Sequence, residues 1–100
     1  MIQIVDRQEQ LLYEPAMPIF HIHIINQHSD CPDPEGHDLI DLEVARRVAI
    51  AGVREFLAHE IVKKGMLDLR GRVNIEDDEG VILASFPFDD AINVVGRAAV

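Results

Sequence analysis

One hundred residues with 18 acidic and nine basic side chains, a formal net charge of −9, predict a single small acidic domain. Hydrophobic residues at 48% and charged residues at 27% fit a soluble globular chain, and the charge balance argues against nucleic acid as partner, which needs clustered Lys and Arg. A single cysteine excludes an internal disulfide, and no apolar run reaches the roughly 20 residues of a membrane-spanning helix.

Met1 to Arg7 has neither a basic start nor a sustained apolar core, so no secretory leader is expected, and Cys31 suits a reducing cytoplasm. Residues 1–16 read as an N-terminal arm: Ile2, Ile4 and Val5 precede a polar run, and Pro15 interrupts. Met17-Pro18 opens the patterned part of the chain. From Ile19 to Ile25 strict alternation predicts a strand with Phe20, Ile22 and Ile24 on one face and Ile19, His21, His23 and Ile25 on the other. Asn26 to Asp38 is rich in Asp, Pro, Ser and Gly and predicts a loop or a loose hairpin, in which Pro32 and Pro34 forbid regular ladder pairing. Leu39 and Ile40 supply a short edge strand in this reading.

The long helix is predicted from Leu42 to Lys64, with Asp41 as N-cap, Glu43 in the first turn, and Lys63, Lys64 and Gly65 at its end. At about 1.5 Å per residue it spans about 34 Å. Strands of this size cover only about 20–27 Å, so the helix should overhang its sheet. Leu42, Ala45, Ala49, Gly52, Val53 and Phe56 form the stripe expected to face the sheet. Val44, Val48, Ala51, Ala58 and Val62 form a second apolar stripe, expected to be covered by the arm or by another protomer. Gly71 to Glu76 and Val81 to Phe86 then predict a hairpin around Asp77 to Gly80, ended by Pro87. Residues from Asp89 onward begin a short capped helix or trail along the surface, and 95–100 form a tail. The sum is a two-layer ββαββ-type α+β domain over residues 17–94, a small antiparallel sheet packed on one long helix.

Taken in order, Met17-Pro18-Ile-Phe-His, Asp33-Pro-Glu-Gly36, Asp41-Leu42-Glu43-Val-Ala45-Arg46, Gly71-Arg72-Val73, Asp77-Asp78-Glu79-Gly80 and Phe86-Pro87-Phe88-Asp-Asp90-Ala91 resemble a family of small bacterial proteins defined as a domain of unknown function. The likeness runs from Met17 to about Val94. It implies a compact stand-alone domain and brings no catalytic residue, substrate or cofactor with it. A looser likeness in fold is to the ribonuclease-like domain of small bacterial antitoxins.

His21 and His23 are the sharpest candidates for chemistry. At i and i+2 on a strand they point the same way, and in an antiparallel sheet Asn74 and Glu76 share their face, so His21, His23 and Glu76 form a candidate metal site. His28, Cys31 and His37 lie in the following loop. Two histidines on a solvated sheet face also need no ligand to explain them. Cys31 has acidic neighbours, which raise a thiol pKa, the reverse of activation. The acidic runs 30–38 and 77–79 fail the calcium-loop register and read as turns. His59 reads as a half-exposed structural residue on the helix. No catalytic triad or phosphate-cradling loop can be placed. The expected role is a non-catalytic protein-interaction or regulatory module, a homodimer through the second stripe. The alternatives are a metal-binding protein using His21 and His23, and an antitoxin-like nucleic-acid or toxin binder.

Overall fold

The computed structural model describes residues 17–27 and 30–96. The predicted arm, His28 and most of the predicted tail lie outside the described residues. The chain forms strand β1 (Ile19–Ile25), two-residue strands β2 (Asp30–Cys31) and β3 (His37–Asp38), helix α1 (Leu42–Lys64), then β4 (Arg72–Glu76), β5 (Ile82–Pro87) and a 3-10 turn at Phe88–Asp90. This is the predicted α+β arrangement, roughly ββαββ, with two short strands from the 26–38 segment where one was expected at Leu39–Ile40.

The sheet is antiparallel in the order β2-β1-β4-β5, with β3 also pairing β1. His21 stands opposite Glu76 and His23 opposite Asn74, the register that alternation implies. Phe20 and Ile22 of β1, Val73 and Ile75 of β4 and Phe86 of β5 are buried together beneath the helix. Period-two pleating therefore leaves His21, His23, Asn74 and Glu76 on the opposite face.

Asp41 caps α1 by accepting the Val44 N–H at 2.9 Å. Gly65, left-handed at φ 64°, ends it with its N–H on the Ile61 carbonyl at 2.7 Å. The helix packs on β1 and β4 through Ala45, Ala49, Val53 and Leu57. Leu57, absent from the predicted stripe, is buried because an i,i+4 series drifts slowly around a helix of 3.6 residues per turn. Leu42 and Phe56 flank the core half-buried. Gly52 does not serve close approach, since a Cβ there would meet nothing within 4 Å. No helix residue after Leu57 is buried, which is the overhang expected from the lengths.

Three local expectations change. The short strand is His37–Asp38 rather than Leu39–Ile40: Leu39 packs against the core and donates its N–H to the Pro18 carbonyl. Val81 belongs to the turn: its carbonyl accepts the Asp77 N–H and its N–H donates to the Asp77 carboxylate, so β5 is displaced by one residue and includes Pro87. Beyond it, where the sequence predicts a short helix from Asp89 or a surface trail, a 3-10 turn seats Phe88, fully buried, against Phe56. Gly71 makes room for that ring: an added Cβ would lie 2.3 Å from it and 2.7 Å from the Ile25 carbonyl oxygen.

Candidate functional site

The open face of the sheet carries a histidine–carboxylate network centred on Asp33, a residue that the spacing of the histidines did not single out. Between β2 and β3, Pro32 and Pro34 break the ladder, and Asp33 takes over its bonds. One carboxylate oxygen of Asp33 accepts the Ile22 N–H at 3.1 Å, and the other accepts the Gly36 N–H at 3.1 Å. The Asp33 backbone N–H donates to His23 Nδ1 at 3.0 Å, while its carbonyl accepts from His21 Nδ1 at 2.6 Å. Gly36 completes the turn at φ 78°, and a Cβ there would crowd Ile19 at 2.6 Å and the His21 ring at 3.0 Å.

His21 is pinned from both sides. Its Nε2 lies 2.9 Å from a carboxylate oxygen of Asp78 in the β4–β5 turn. Carbonyl and carboxylate oxygens only accept, so both contacts are satisfied together only by the doubly protonated ring, the form this geometry favours. The Asp78 bond, then the Asp33 carbonyl, hold its pKa above the ordinary 6.5. His23 differs. Accepting at Nδ1 places its proton on Nε2, which faces Glu76 at 3.4 Å. The two rings stack at 6.3 Å and 14°. His37 Nε2 lies 3.1 Å from an Asp33 carboxylate oxygen.

The structure thus brings together His21, His23, Glu76 and His37, and adds Asp33 and Asp78. Cys31, opposite Ile24, is exposed. Among the described residues, no group of three or more His, Cys, Asp or Glu is arranged to hold a metal ion. Both His21 nitrogens already face acceptors, so the geometry is that of a clamp joining the returning segment, β1 and the β4–β5 turn. Beside it, Arg72 donates two bonds to the Ser85 hydroxyl, which donates to Asn74 Oδ1 at 2.7 Å. The acceptor of that hydroxyl is an amide oxygen, which is no general base, so Asn74 does not activate Ser85 as a nucleophile. At the end of the sheet Ile25, Leu69, Gly71, Arg72 and Pro87 border an open hollow of about 420 Å³.

The predicted second stripe divides. Val44 and Val48 are half-buried, Val48 against the chain's own core. Ala51, Ala58 and Val62 are exposed, Val62 at 86%, next to exposed Ile61, Met66 and Leu67. No helix among the described residues is long and apolar enough to cross a membrane.

A family model described as a domain of unknown function, DUF6894, matches residues 19–89, from the first residue of β1 into the 3-10 turn. No curated protein and no solved structure matches the chain.

Proposed function

The chain belongs to the DUF6894 family, a domain of unknown function, and on that footing we propose that it is a small non-catalytic protein-interaction or regulatory module that works as a pair of identical chains. The observation that carries this reading is the uncovered far half of α1, where Val62 is 86% exposed and Ile61, Met66 and Leu67 stand open beside it. Fully burying one such side chain contributes roughly 1.5–3 kcal/mol, so a cluster of them favours a cover. Ala51 and Ala58 are small enough to let two helix axes approach to about 8–10 Å.

A second copy suits the charges as well as the shape. Antiparallel packing of two α1 helices around Ala58 and Val62 sets Glu55 of one chain beside Lys63 of the other. Both are exposed, and neither has an ion pair among the described residues. The histidine–carboxylate face keeps, in this reading, the structural part of holding the 30–38 segment and the hairpin turn in place. Size-exclusion chromatography with light scattering tests the pairing. A mass of two chains is expected at micromolar concentration, falling to one for Val62→Lys with an unchanged circular dichroism spectrum. A clean monomer of the unaltered chain would overturn it.

A further inference from the structure

A second exposed surface lies at the edge of the sheet. Strand β5 ends the sheet, and among the described residues nothing pairs with its outer edge. From Gly80 to Phe88 no side chain is charged, and Val81, Ile82 and Leu83 are 53%, 55% and 41% exposed. Proteins ordinarily guard such an edge with Lys, Pro or a bulge. Here the guards are a register irregularity that leaves Leu83 without a partner on β4, and Pro87 at the strand's end.

The charges beside this edge decide its occupant. Asp77, Asp78 and Glu79 precede it, Asp89 and Asp90 follow it, and no Lys, Arg or His occurs from Val73 to Gly96. His21 answers Asp78, while Arg72 on Ser85 and Arg46 over the Phe86 ring offset part of the charge at the other end. The remainder is acidic at both ends. Parallel pairing of two β5 strands would set the 77–79 turn against its own copy. Antiparallel pairing would set that turn against Asp89 and Asp90. Both arrangements oppose like charges, so a second copy is repelled while a basic-flanked strand is attracted.

We propose that the β5 edge captures, by strand addition, an extended apolar segment of another protein flanked by Lys or Arg. This deepens the interaction-module reading and rests on it, but it uses a surface separate from α1. The segment's backbone supplies the ladder bonds, its apolar side chains cover Ile82 and Leu83, and its basic ends meet the two acidic groups.

The test is fluorescence anisotropy of the full chain at low salt with a synthetic peptide of alternating Val and Thr closed by two Lys at each end. Saturable binding is expected. It should weaken at least about tenfold when Glu replaces the flanking Lys, and at least about tenfold when alternate peptide N–H groups are methylated. Leu83→Lys, at an exposed site, should abolish capture without altering the circular dichroism spectrum. No saturable binding, equal binding of the methylated peptide, or unchanged binding by Leu83→Lys would each overturn the proposal. So would a fall in the unaltered chain's mass on Leu83→Lys, because the edge would then hold a second copy. A monomeric chain that still captures the peptide retires the helix pairing and keeps this proposal. A dimer that captures nothing does the reverse.

Discussion

At the scale of single residues, Asp33 and His21 hold the open face of the sheet together, and their chemistry gives two measurable consequences. Asp33→Ala removes the acceptor of the buried Ile22 amide as well as that of Gly36. An orphaned donor costs about 1–3 kcal/mol, so urea unfolding should shift by about that amount. Asp33→Asn keeps one side-chain acceptor and should lose less; equal losses would deny the carboxylate this part. His21 carries a pH dependence whose sign follows from its partners. Asp78 and the Asp33 carbonyl stabilise the imidazolium and raise its folded-state pKa above 6.5. The stability it contributes is complete below the unfolded-state value and disappears as pH rises through the folded-state value. The urea midpoint should therefore fall from mildly acidic to alkaline pH. Asp78→Asn, which removes the largest cause, should bring the His21 ring-proton titration down toward 6.5; an unmoved titration would refute the assignment.

At the scale of elements, two glycines, one within α1 and one just before β4, should respond in opposite directions. A Cβ at Gly71 would meet the Phe88 ring and an immobile backbone carbonyl, so Gly71→Ala should cost about 1–3 kcal/mol. A Cβ at Gly52 meets nothing, so Gly52→Ala should stabilise α1 by roughly 0.5–1 kcal/mol. Thermal unfolding of the two variants checks both signs. The same contrast shows where sequence patterns stop being informative. Helix α1 was legible to its last residue, because Asp41, Gly65 and the period of its apolar side chains are local signals. The pairing of His21 and His23 with Asn74 and Glu76 was legible too, because alternation and an antiparallel register determine a face. Asp33 was not, because its role depends on Pro32 and Pro34 leaving a gap that only the folded edge of β1 presents. Nor was the seat of Phe88, since a contact between 71 and 88 leaves no periodic trace.

At the scale of the whole molecule, the net charge of −9 acts on the two proposed contacts with opposite sign. Two identical chains repel each other, and the apolar end of α1 has to overcome that repulsion. Added salt shortens the reach of exposed charges, to about 10 Å at 0.1 M and about 3 Å at 1 M, while leaving apolar burial in place. The dimer fraction in sedimentation velocity should therefore rise with NaCl. A basic-flanked strand on the β5 edge is held partly by attraction to Asp77, Asp78, Glu79, Asp89 and Asp90, and its capture should weaken over the same series. If dimer and capture both fall with salt, the helices are joined by charge pairs such as Glu55 with Lys63 rather than by apolar burial. If capture is indifferent to salt, the acidic ends of the edge do not select its partner.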